Sequence, residues 1–499
     1  MMRLLSLVVV VLGGLAQVSP LGGQQAGSDY PQAPREFRGV WVTSLKNLDW
    51  PSRPGLSSRE QQEELIAILD RARALNLNAV ILQVRSVGDA LYPSQYAPWS
   101  HFLTGEMGRA PSPGYDPLAF AVREAHRRGL EIHAWLNPYR VHHDINAFDV
   151  SRNHISRTHP ELVRRYGNLL WLDPSEPAAR EHILNVVREV VRNYDIDGIH
   201  FDDYFYPWPI AGRDFPDDAA WERYRRSGGD RSRGDWRRNH INELIRRFYE
   251  TVKEEDPRVK VGISPFGIWR PENPPGITGS DQYEMLYADP RLWLHRGWLD
   301  YLAPQLYWST AQERQSFPRL LEWWHSQNPR NRHIWPGLAT WKVTEDNWPA
   351  REIVNQVTLA REQAGTAGHI HFRQRWLQED LGNIASTLRA AAYQSPALVP
   401  ASPWLGAEAP NRPNVRYEPT AEGEGGRLHI DSAGGEDLHL WAIYSRHRDG
   451  WRLRQVLPAR QRDRATLRIP VTDRSISHLA VTAVDRLGNE SDPAAVRLR

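Results

Sequence analysis

The stretch YDIDGIHFDDYFYP, residues 194–207, sets two aspartates side by side, Asp202 and Asp203, directly after an apolar run. Adjacent carboxylates repel when both are charged and resist burial, so one member of such a pair holds its proton toward neutral pH. A protonated acid beside an ionised one is the arrangement that general acid catalysis uses. The two titrate as a unit, and the sequence does not assign the proton to either. The competing explanation is an ion pair with Arg85 or Arg140 that only fixes the rim of the fold.

Something must hold these acids. Eight short apolar runs recur along the chain, beginning near Arg38, Asn78, Leu130, Asp197, Val259, Leu299, His333 and Gly368. A helix-like segment follows each. Ser57 and Glu60 stand at capping-box spacing, and Asp116 with Pro117 opens another helix that Gly129 ends. Eight strand–helix units predict an α/β fold, a (β/α)8 TIM barrel. A doubly wound sheet is the alternative, but no glycine-rich phosphate loop follows the first strand.

Strand parity sharpens the expectation, because residues i and i+2 share a face. Polar residues fall on one parity: Gln83 with Arg85, His133 with Asn137, His200 with Asp202, Gln305 with Tyr307, and His369 with His371 and Arg373. A barrel core fills such positions with Val, Ile and Leu. Polar groups crowding inward therefore predict a site at the barrel mouth. Asp202 and Asp203 are its expected catalytic residues. Gln83, Arg85, His133, Asn137, Arg140, His200, Tyr204, Gln305, Tyr307 and Trp308 are its expected substrate contacts. Long aromatic loops after the second and fourth strands offer Tyr92, Tyr96, Trp99, Tyr204, Tyr206 and Trp208 as sugar platforms.

Composition narrows the function. Lys and Arg number 62 against 60 Asp and Glu, a net charge of +2, which argues against a nucleic-acid or membrane surface. The 21 Trp and 18 Tyr suit stacking on sugar rings as well as a thick core. With no Cys there is no disulfide, thiolate metal site or Cys nucleophile. His142, His143 and Asp144, and His369 with His371, lack zinc-site spacing, so no metal and no cofactor is expected. Residues 1–24, with Arg3 and the apolar run Leu4–Leu12, have the pattern of a secretory signal peptide, too short for a membrane span. A periplasmic or secreted protein without stable membrane insertion is expected. The barrel should occupy 35–393 and a Pro/Ala-rich linker 394–412. A small all-β sandwich should fill 413–499.

At EFRGVWVTS, IHAWLNPYR and DGIHFDDYFYP the barrel resembles a bacterial family of glycoside-hydrolase-like proteins, the glycosyl hydrolase-like 10 group. The resemblance spans about residues 35 to 390. It implies an extracytoplasmic enzyme that cleaves glycan strands of peptidoglycan after the stem peptides have been removed. Lipoprotein members carry an N-terminal Cys that this chain lacks. DGIHFDDY also resembles the chitinase-type DGxDxDxE motif: Asp197, Gly198 and Asp202 match, whereas His200 and Tyr204 depart from it. QLYW is similar to the sixth-strand Tyr of those enzymes, which would make Tyr307 a donor to an acetamido group. The end of the chain, LAVTAVDRLGNESDPAAVRL, resembles the closing strands of a fibronectin type III domain.

Residues alone, without the resemblance, reach a sugar-processing barrel. No acid follows strands five to eight, so a second carboxylate across the scissile bond would come from Asp89, Asp173 or Asp203. Substrate assistance by an N-acetyl group removes that need. A non-catalytic carbohydrate-binding barrel, and an endo-glycosidase on another polysaccharide, are the alternatives.

Overall fold

The computed structural model describes residues 31–498 apart from 364–366, 421–424, 435–437, 460–463 and 471–475. The signal-peptide expectation falls outside these residues. Parallel strands Phe37–Val42, Ala79–Arg85, Glu131–Leu136, Gly198–Phe201, Lys260–Ile263 and Tyr301–Leu302 follow one another around a sheet. The seventh strand is split. His333–Ile334 pairs with the sixth and Gly337–Ala339 with the eighth, Gly368–Phe372, so the ring closes across Trp335 and Pro336. Pro336 has no N–H to give, which suits the break in the ladder. A helix follows every strand, and Ser57–Glu60 forms the expected capping box of the first, Ser58–Ala74. The protein is a (β/α)8 barrel.

Inside the barrel, Phe37 stacks on Trp335 at 3.8 Å, and Trp41, Ile81 and Ile370 join them in one buried cluster. A polar column threads that cluster. Lys260 donates to Glu131 at 2.9 Å, and Glu131 meets His133 Nε2 at 3.1 Å. His133 and His200 both place Nδ1 on the Tyr301 hydroxyl. Burial opposes the Glu131 charge, but Lys260 and His133 outweigh it and hold its pKa at about 2.

After the barrel come two antiparallel sheets, of three and four strands, around a core that includes Leu428, Trp441 and Val481. They dock on the N-terminal end of the barrel strands. Arg486 donates to the Ile196 carbonyl at 2.7 Å, and its own carbonyl accepts from Lys260 at 3.0 Å. Within the stretch expected as a linker, Leu398 and Ser402 are buried, and Ser402 N–H donates to the Leu487 carbonyl.

Candidate active site

Asp202 and Asp203 stand immediately beyond the fourth strand, 4% and 6% exposed. Asn137, two residues along the inward parity from Trp135 on the third strand, donates its amide to Asp202. The Trp135 indole donates to the same oxygen at 3.3 Å. Gln83 donates to Asn137 Oδ1 at 2.7 Å, and its own Oε1 accepts from the backbone N–H of Ser44 and Leu45. Three strands thus fix one amide–carboxylate chain. On the other side, Gln305 hydrogen-bonds Asp203 and donates to the Ser264 carbonyl at 2.9 Å.

The electrostatics follow from burial. Withdrawal from water and the neighbouring Asp203 push Asp202 up to about 7, against the Arg140 cation. Burial lifts Asp203 to about 6, opposed by Gln305 and Arg140. Arg140 is held by the Ser86 carbonyl at 2.9 Å and by Asn137 Oδ1 at 2.7 Å, with its guanidinium 4.6 Å over the Tyr204 ring. Such a pair keeps one proton near neutral pH and can donate it.

Two aromatic walls form from residues of the strand ends and the loops beyond them. Trp208, Phe266 and Trp308 meet edge-to-face at 5.6 Å, all half-buried. In the second, Tyr307 lies 4.7 Å from Trp341 and 5.9 Å from Phe372. Burial and the adjacent acids push the Tyr307 phenol well above its usual range, so it remains a hydrogen-bond donor.

Gln83, Asn137, Arg140, Tyr204, Gln305 and Tyr307 therefore gather around the two aspartates, with Trp308 in the nearby aromatic wall. Three expected contacts do not. A bulge shifts the register between Gln83 and Arg85 and turns Arg85 off the inward face. Its guanidinium instead reaches the Asp89 carbonyl and His182 of the helix Pro177–Asn193, both at 3.4 Å. His133 and His200 do point inward but are fully buried beneath the site, tied to Tyr301. His369 and His371 face away from the barrel interior to the Tyr393 hydroxyl, while Ile370 and Phe372 take the inward positions. Tyr92 and Tyr206 are buried, so they pack rather than offer faces. Asp89 caps the N–H groups of Ser86 and Val87, and Asp173 caps Ser175 and pairs with Arg164, so neither acid turns to the pair.

Trp135 and Tyr301 were not anticipated as site supports. The third-strand alternation that yields His133 and Asn137 passes directly through Trp135. The hydrogen-bond network fits one arrangement of protons in the column. With His133 neutral and its Nε2–H on Glu131, its Nδ1 accepts the Tyr301 proton. Tyr301 oxygen then accepts from His200 Nδ1–H. That leaves His200 Nε2 to accept from Ser264 at 2.9 Å and from the Trp41 indole at 3.4 Å. The column thus orients Trp41, which lies 5.9 Å from Phe372 of the aromatic wall.

The glycosyl hydrolase-like 10 profile matches residues 36–352. The chain is 41% identical over 479 residues to the glycosyl hydrolase YngK of Bacillus subtilis (strain 168), covering 92% of each chain. Over 410 residues it is 35% identical to the glycosyl hydrolase DigH of Escherichia coli (strain K12), covering 76% of this chain and 91% of DigH. The chain belongs to the glycosyl hydrolase-like 10 family. Membership makes the protein a glycoside hydrolase acting on O-glycosyl bonds. The glycoside hydrolase domain of PgaB (BpsB) from Bordetella bronchiseptica aligns at 16% identity with a TM-score of 0.49, over 72% of this chain and 99% of that one. In this family member, no helix among the described residues is long and apolar enough to cross a membrane.

Proposed function

We propose that the protein is exported and hydrolyses glycosidic bonds in bacterial cell-wall glycan, with peptide-free peptidoglycan strands as its substrate. The observation that carries this reading is the adjacent, buried Asp202–Asp203 pair at the barrel mouth, to which no third carboxylate is hydrogen-bonded among the described residues. Hydrolysis by two acids across the bond needs carboxyl groups about 5 to 9.5 Å apart on opposite sides of the sugar. Asp89 and Asp173 are committed elsewhere. A 2-acetamido sugar supplies the nucleophile itself.

In that mechanism the protonated member of the pair gives its proton to the glycosidic oxygen. The acetamido carbonyl oxygen forms a bond to the anomeric carbon as the leaving sugar departs as an alcohol. The ionised member accepts the acetamido N–H and offsets the positive charge that develops there. Water then attacks the anomeric carbon, its proton returns to the pair, and the acetamido group is released intact. Tyr307 donates to the acetamido group, while Asn137 and Gln305 hold the acids. Trp208, Phe266 and Trp308 offer faces to neighbouring sugars. The run Leu4–Leu12 after Arg3 supports export.

Incubation with peptide-free strands, chitin oligomers and an unacetylated β-glucan, with products read by mass spectrometry, tests the reading. Cleavage confined to the N-acetylated glycans is expected. Equal cleavage of the unacetylated glucan would overturn it.

A further inference from the structure

An open concavity of about 710 Å3 lies between the hairpin strands Val163–Tyr166 and Leu169–Leu172 and the loop that follows the fourth barrel strand. Arg165 and Arg213, both exposed, stand on its wall with Asn168 and Ile210. Ile210 is 38% exposed, one of the few large apolar side chains so open among the described residues. The Arg165 side chain donates to the Gly167 carbonyl at 3.1 Å. The Arg213 guanidinium has no hydrogen-bond or ion-pair partner among the described residues. Acids nearby are already engaged: Asp214 pairs with Arg237 at 2.8 Å, and Asp173 with Arg164 at 3.0 Å. The concavity is therefore cationic, lacks an internal counter-charge, and has one apolar face.

It is also fixed in place relative to the catalytic pair. The Tyr166 hydroxyl accepts from Ile210 N–H at 2.7 Å and donates to the Arg213 carbonyl at 2.9 Å, which locks loop to hairpin. Trp171, on the second hairpin strand, donates to the carbonyl of Phe205 at 2.9 Å, two residues beyond Asp203. Trp171 stands three residues from Asn168, about 10 Å of strand at roughly 3.3 Å per residue.

We propose that this concavity is a subsite for a carboxylate-bearing sugar of the glycan strand, away from the scissile bond. The inference rests on the cell-wall reading above. Removal of stem peptides leaves a free lactyl carboxylate on each muramic residue, whereas chitin carries none. An arginine fork matches a carboxylate with two parallel N–H donors, and Ile210 can take the C–H face of the same sugar. The subsite thus favours stripped peptidoglycan over chitin by charge.

The test uses the full-length protein and an Arg165→Gln/Arg213→Gln double variant. Both are assayed on stripped strands and on the same strands with their carboxylates converted to amides. Equilibrium binding is measured in parallel in an Asp202→Asn background. The double variant is expected to raise KM and Kd about three- to tenfold on the free-acid strands with kcat unchanged, a loss that fades at high salt. On amidated strands it should match wild type. Equal KM and Kd of variant and wild type on free-acid strands, or equal losses on both, would overturn the subsite. Should wild type cut neither strand, the cell-wall hydrolase reading fails, while the binding arm still decides the arginines.

Discussion

The Arg140 guanidinium lies 4.6 Å over the Tyr204 ring and donates to Asn137 at 2.7 Å, so a fixed cation faces two buried acids. Burial raises Asp202 and Asp203 to about 7 and about 6, and Arg140 pulls both back. Cleavage that needs one proton on the pair rises as pH approaches about 6 and falls above about 7. Removing the cation raises both values. In Arg140→Gln the two limbs of the kcat/KM profile, measured from pH 4 to 9, should move to higher pH. An unmoved profile would mean that Arg140 does not act on the charge of the pair.

The same raised pKa has a cost in stability. Asp in an unfolded chain titrates near about 3.9, well below the folded value for Asp202. The folded chain thus binds a proton that the unfolded chain releases, and stability falls as pH rises from about 4 to about 7. Asp202→Asn cannot ionise and escapes that loss. Its Tm should exceed that of wild type at pH 8 but not at pH 4, by differential scanning calorimetry. A difference independent of pH would contradict the assignment.

Tyr301 joins His133 and His200 with one hydroxyl, at 2.8 and 3.0 Å. Tyr301→Phe strands both buried Nδ1 atoms and should cost about 1–3 kcal/mol of stability in urea unfolding. The kcat loss should stay under about tenfold, because no reacting atom touches the column. Wild-type stability in this variant would show that the three groups are satisfied in another way.

How far the sequence reveals this site is clearest strand by strand. Eight apolar runs with helices between them sufficed for the barrel, and the alternation His200–Asp202 and Gln305–Tyr307 located the mouth. Alternation failed at Arg85, because a bulge adds a residue that no composition signal announces. It also failed at His369 and His371. There the polar residues face the helix layer, where Tyr393 receives both rings, and Ile370 and Phe372 fill the interior. Parity marks which residues share a face but not which face is inside. The role of Trp135 was hidden for a different reason. A Trp within an apolar strand looks like core, and only its indole N–H, aimed at Asp202, connects it to the acids.

The central claim is that Asp202 and Asp203 jointly supply the proton for glycan cleavage. Product analysis by mass spectrometry on peptide-free strands tests it most directly, comparing wild type with Asp202→Asn and Asp203→Asn. Wild type should release short reducing oligosaccharides, and each variant should lose at least roughly 10²-fold in rate while still binding the strands. Cleavage by Asp202→Asn at the wild-type rate would contradict the account.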